Sequence, residues 1–408
     1  MAVTLDDLAA DLQSFFADKF PQMGEGTPGS LFLVFDNLGT PLDPAEFATA
    51  PFSHQRAAQL ADQIPSAGGL ARGWYIPSPG KRLSRWYEVM VEGGTAATSA
   101  EPGFSAFNML RAESARSLEE NKLIAAAAPG GVEAPGTHDV YYATSMSPAD
   151  WHAPDSTAWA TYALSSQETP PAGAATTPLT VPEWRLRVSD AEQVRRVAAV
   201  DDFVGRARMT ARPRRFKPPR PSRPGRSGRF VMTAEGDMIP AELEGMETVE
   251  EVGDELTTTA PQVVPPPPEP EVVVQETSVA PVATEGFNVS FEYCMVRFER
   301  PWWDEVFLLN QGWGVPGHTP GAICGGTATD PKGAITLITA GMIVVRNLVI
   351  TASWNEDDKA HLTQGISLGP FCVAGADFDV ASGALRRPGT QAIAWLCLVP
   401  PVLPPVVV

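Results

Sequence analysis

Cysteine is scarce in this chain of 408 residues. There are four, Cys294, Cys324, Cys372 and Cys397, and no two form a CxxC pair. That excludes a disulfide-dense scaffold and the common zinc ribbons. Five histidines leave little material for a histidine-rich metal site. No GxGxxG follows a strand, and Gly325-Gly326 with Lys332 lacks the spacing of a phosphate-binding Walker loop. The opening residues, Met1 to Leu8, carry Asp6 and Asp7 and no positive cluster or long apolar core, so they do not read as a secretory signal. The longest apolar stretch, Ile335 to Val345, stops at Arg346-Asn347 and is too short to span a bilayer. Together these absences point to a soluble, cytoplasmic protein with reduced thiols, no cofactor and no metal.

What the chain has instead is proline, 40 residues of it, and strongly segregated charge. From Phe203 to Ala234 there are ten Lys and Arg and no acid. From Glu235 to Gly286 there are thirteen acids and no Lys or Arg. Such a composition buries too little apolar surface to offset chain entropy, so residues 203–286 read as a long, disordered, proline-rich linker. The linker divides the chain into an α+β domain, residues 1–202, and an all-β, sandwich-like domain, residues 287–408. The net charge of −18 argues against nucleic acid or anionic lipid as a ligand of the whole protein. Within the basic run, Arg214, Arg215, Lys217 and Arg220 are the local exception. They could hold nucleic acid, anionic lipid or an acidic protein surface, or simply pair with the acidic half of the linker. Val263-Val264 and the four prolines Pro265 to Pro268 read as a polyproline spacer or a ligand for aromatic grooves.

Hydrophobic period assigns the elements. Thr4 with Asp7 forms a capping box for a helix carrying Leu5, Leu8, Leu12, Phe15 and Phe16 on one stripe. Ser30 to Phe35 reads as a buried strand, and Ser53 caps a helix that runs to Ile64. Trp74 to Ile76 and Trp86 to Val91 flank Ser78-Pro79-Gly80-Lys81 and read as a β-hairpin. Ser105 to Ala125 is a helix. Short strands are expected at 140–142, 159–164 and 184–188, and a last helix starts at Ser189. In the C-terminal part, Phe287 to Phe298 and Met342 to Trp354 are strands rich in β-branched and aromatic residues. Asn355 caps a helical turn. Residues 369–374 and 377–385 read as strands, with a turn at Ser382-Gly383. Gln391 to Val399 is apolar on both faces and reads as a central strand.

Arg300-Pro301-Trp302, Gly312-Trp313, Val345 to Leu348, Trp354, Gly369-Pro370-Phe371, Pro388-Gly389 and Ala394-Trp395 resemble a C-terminal module of uncharacterised bacterial and fungal proteins. The resemblance spans about 287–405. It implies a compact module and carries no activity, cofactor or site.

Candidate chemistry is thin. His318 and Cys324, or His361 and Cys372, could begin a metal site or a nucleophile pair, but neither spacing supplies a third member. Cys294 and Cys397 fall in strands and read as small core residues. His152, between Trp151 and Asp155, is the best-placed histidine for an acid–base role. Trp302 and Trp303 beside Asp304 and Glu305 could form a sugar platform, or a strand-end aromatic cluster with solvated acids, and the second is favoured. Asn288-Val289-Ser290 matches a glycosylation sequon. The apolar end, from Pro400, either folds back or inserts into a partner. The balance favours a non-enzymatic adaptor or structural component that binds protein partners. The alternatives are a hydrolase-like enzyme with a pocket in the N-terminal region and a carbohydrate-binding protein that uses exposed tryptophans.

Overall fold

The computed structural model describes residues 4–19, 27–48, 52–100, 102–127, 142–164, 184, 186–188, 230–232, 238–240, 284–362 and 365–406. The chain divides into two compact units. One is Met1–Val197 together with Val274–Val408; the other is Ala198–Val273. In the second unit the described residues form one antiparallel pair, Phe230–Met232 with Met238–Pro240. Of the rest of the segment expected to be a linker, 284–286 are described and Glu285 already starts a long strand; the remainder, including Arg214, Arg215, Lys217 and Arg220, lies outside the described residues, as do the helix expected from Ser189 and the polyproline run.

In the first unit the elements run α1 (Leu5–Lys19), β1 (Leu31–Leu42), α2 (Phe52–Ala61), β2 (Trp74–Tyr75), α3 (Leu83–Gly93), α4 (Gly103–Ala127), β3 (Ser145–Ser147), β4 (Ala160–Leu164), β5 (Glu285–Glu299), α5 (Glu305–Leu309), β6 (Ile338–Ser353), β7 (Asp377–Asp379), β8 (Ala384–Arg387) and β9 (Thr390–Leu398). The nine strands form one mixed sheet. β9 lies between β6 and β1, antiparallel to both, and β2 joins β1 in parallel. β5 runs along the other edge of β6 and carries β3 and β4 on its far side.

Two separate ordered domains, 1–202 and 287–408, are therefore not what the fold contains. β1 to β4 come from one side of the charged segment and β5 to β9 from the other, and they share one sheet. The C-terminal part is sheet-rich, as its β-branched runs imply, and the N-terminal part mixes helices with strands. The sheet is buried on both faces because its side chains alternate. Leu33, Phe35, Ile343, Val345, Ile393 and Leu396 enter one apolar cluster with α1, while Phe32, Val34, Met342, Val344, Trp395 and Cys397 enter another with α2. A third cluster lies among α3, α4 and α5.

Local chemistry sets several boundaries. Thr4 and Asp7 make the reciprocal cap, with Thr4 N donating to Asp7 Oδ2 at 2.8 Å and Asp7 N to Thr4 Oγ1 at 3.2 Å. Asn355 Oδ1 accepts from Asp358 N at 2.7 Å and starts the helix Glu356–Leu362. Asn347 has φ 55°, in the left-handed region that Asn tolerates. It marks the point where β6 stops pairing with β9 and starts pairing with β8. The expected hairpin at 74–91 is not formed. Trp86 to Val91 belongs to α3, where Leu83, Tyr87, Met90 and Val91 return to one buried side at helical spacing. Aromatic and β-branched composition there mimics a strand, and burial against α4 decides otherwise. Tyr142 is in no strand. The C-terminal end folds back: Val402–Leu403 pairs with Cys324–Gly325, and Leu403 is fully buried.

Candidate functional site

The Trp302–Glu305 segment is tied into the third apolar cluster. Trp302 is 1% exposed and sits beside Tyr87 and Tyr142. Trp303 is half-buried and its ring lies 4.8 Å from Tyr87. Asp304 caps α5, accepting from Val306 N at 2.9 Å and Phe307 N at 3.3 Å. Its other oxygen accepts from Ser114 Oγ at 3.0 Å, and its N–H donates to Tyr87 Oη at 3.0 Å. Desolvation pushes the Tyr87 phenol up to about 12. A carboxylate holding three donors in this way fixes a helix start rather than moving protons. Of the ten tryptophans seven are buried and three, Trp86, Trp159 and Trp303, are half-buried. What α5 does present is Val306, 62% exposed, and Leu309, 58% exposed, one helical turn apart.

The other sequence candidates are scattered. Cys294, Cys324, Cys372 and Cys397 are all buried and free. Burial pushes the Cys294 and Cys324 thiols up to about 11 and Cys397 further, which suppresses the thiolate that a nucleophile requires. His318 is half-buried beside Pro316 O, whereas the Cys324 sulfur accepts from Gly326 N, so the two are not paired. Among the described residues no three His, Cys, Asp or Glu are grouped as metal ligands. The His361 side chain is outside the described residues. His152 is half-buried with Nδ1 enclosed and without a partner, 6.0 Å from the Trp151 ring. Asn288 of the sequon sits in β5 between β4 and β6, half-buried, which is no acceptor loop.

Sequence reasoning missed a buried polar junction. β1 bulges between Phe35 and Thr40. Asp36, at the bulge, accepts from Leu38 N (3.0 Å), Thr40 Oγ1 (2.7 Å) and Trp395 Nε1 (2.9 Å). Desolvation raises the Asp36 carboxyl despite these three donors. The Trp395 ring stacks on Tyr75 at 4.6 Å, and the Tyr75 hydroxyl meets Thr339 Oγ1 at 2.8 Å. Thr339 Oγ1 reaches Gln63 O at 2.8 Å. The enclosed guanidinium of Arg300 donates to Ala61 O at 2.6 Å and to Thr339 O. Burial lowers its pKa to about 10, and the nearby Asp62 opposes that shift. Asp62 accepts from Arg82 Nε (2.9 Å), Ser84 N (2.6 Å) and Ser84 Oγ (2.7 Å). Acids inside an apolar run, as at Asp36, were the one local signal. Of the Asp36 partners, Leu38 and Thr40 are local, but Trp395 lies 359 residues away.

An open groove of about 380 Å³ crosses β4, β5 and β6, lined by Ala163, Leu164, Asn288, Val289, Ser290, Val349 and Thr351. The neighbouring residues on β5 and β6 are Glu292 and Arg346, joined at 2.6 Å, with Arg346 also 4.2 Å from the centre of the Trp159 ring. The Arg346 hydrogen bond lowers the Glu292 carboxyl. Small neutral side chains and a satisfied ion pair can take up a polar chain or water. Among the described residues no helix is long and apolar enough to cross a membrane. No protein-family model, no curated protein and no solved structure matches the chain.

Proposed function

We propose that the protein is a non-enzymatic adaptor or structural component of a larger protein assembly. One observation carries this reading: β1 to β4 and β5 to β9 share a sheet, so both ends of the charged segment start from one folded body. The segment then connects two stretches of one body rather than two separate modules. Ten cations followed by thirteen acids suit it to contacts with charged protein surfaces, and its basic run suits an acidic one. Burial of all four thiols and the capping role of Asp304 support a binding role over a catalytic one. The exposed Val306 and Leu309 add an apolar element that a partner can cover. Affinity purification of full-length protein from its native cells, at low and at high salt, tests the reading. A stoichiometric complex that loosens with salt is expected. A lone monomer at both salts would sink it.

A further inference from the structure

Every apolar cluster of the first unit draws on both sides of the charged segment. In the cluster beneath α1, Leu8, Leu12, Phe16, Leu33, Phe35 and Trp184 come from the N-terminal side, and Phe287, Phe291, Ile343, Ile350, Phe371 and Ile393 from the C-terminal side. The ladders cross as well. β1 pairs with β9, β3 and β4 with β5, Leu186–Val188 with Gly365–Leu368, and Thr95–Ala96 with Trp313–Gly314. The buried polar junction is shared in the same way, since Asp36, Gln63 and Tyr75 meet Trp395, Thr339 and Arg300. The nine-stranded sheet is completed only by strands from both sides, and the three clusters each need residues of both, which is the character of an obligate interface, a domain core cut in two.

We propose that residues 1–197 and 274–408 recognise each other as an obligate pair whose union does not depend on the peptide connection between them. The partner that the N-terminal part fits is a chain bearing residues 274–408, and a break inside Ala198–Val273 converts the protein into a two-chain complex with the same fold. The connection forms a unit of its own, and the ladders and clusters named above lie outside it. Its loss removes the high effective concentration of a linked pair, but no strand pairing and no buried side chain of the first unit. This inference stands on the strand pairing alone and is independent of the assembly reading.

The charge distribution supplies the assay. Residues 1–234 carry 23 Lys and Arg against 25 Asp and Glu, and residues 235–408 carry 7 against 23. The two pieces are therefore nearly neutral and strongly acidic. A protease recognition sequence is inserted after Ala234 in the full-length protein, which is purified folded, cut to completion, diluted to micromolar concentration and applied to an anion-exchange column. Both pieces are expected in one peak, with the far-ultraviolet dichroism of the uncut protein, and in two widely separated peaks once urea is present. Pieces that elute apart without denaturant, or that precipitate on cutting, overturn the proposal.

Discussion

Substituting Gly39 by alanine should reveal how tightly the bulge of β1 is fitted to the C-terminal part. Gly39 has φ +70°, and a Cβ there would lie 2.4 Å from Cys372 N, 2.6 Å from Pro370 O and 2.6 Å from Gln391 Oε1. Two of these atoms are backbone and cannot rotate away. The third belongs to Gln391, whose Oε1 accepts from Cys372 N at 2.6 Å and whose Nε2 donates to Cys372 O at 3.3 Å. The left-handed backbone alone costs alanine about 1–2 kcal/mol. Displacing Gln391 leaves a buried N–H unpaired for about 1–3 kcal/mol more. Gly39→Ala should therefore lose about 2–5 kcal/mol. Gly80 is the control: its φ is +74°, and a Cβ added there would meet nothing within 4 Å. Gly80→Ala should lose only the backbone part, about 1–2 kcal/mol. Urea unfolding at fixed pH, followed by tryptophan fluorescence, measures both. Equal losses in the two variants would mean that Gly39 is chosen for its backbone alone and that the close approach to Cys372 and Gln391 does not constrain the fold.

The Asp36 carboxyl is raised by burial above its ordinary 3.8, so the folded state binds its proton more readily than the unfolded chain. Its contribution to stability is complete below about 3.8, falls as pH rises through the raised value, and is flat above it. The difference between wild type and Asp36→Asn in urea midpoint should follow that curve, and a flat difference would contradict it. Cys294 and Cys324, pushed up to about 11, hold about one thiolate in a thousand at pH 8, so a disulfide reagent should label native protein very slowly and all four thiols at once in denaturant. Fast labelling of the folded protein would refute the burial argument. Val306→Asp with Leu309→Asp removes the exposed apolar pair of α5 and should shift stability by no more than about 0.5 kcal/mol. In the pull-down that tests the proposed function, the double variant should recover less partner, and undiminished recovery would take this pair out of the binding surface.

How much was legible in the sequence follows from the range of each interaction. α1, α4, β5, β6 and β9 could be read because their signals are local: a capping box at Thr4 and Asp7, a helical stripe, and long runs of β-branched residues. The same local reading failed at 83–93, because Trp86, Tyr87 and Val89 suit a strand by composition and a helix by spacing, and packing against α4 and α5 decides between them. The candidate site fared worse. Trp302 and Trp303 read in sequence as a sugar platform or an aromatic cluster, and only the contacts with Tyr87 and Tyr142 show Trp302 buried in the core and Trp303 half-buried against it. The Asp36–Trp395 hydrogen bond joins residues 359 positions apart, and no local pattern carries a partner at that distance.

The sequence by itself determined the segregation of charge, the helical and strand character of the strongly periodic segments, and the position of the proline-rich stretch, because each depends on residue type and near-neighbour spacing. Only the tertiary structure decided that the two sides of that stretch are halves of one sheet. A strand such as Leu31–Leu42 presents the same unpaired backbone groups to any edge, and what selects β9 is the fit of Phe32, Val34 and Asp36 against Trp395, Tyr75 and Cys397 in three dimensions.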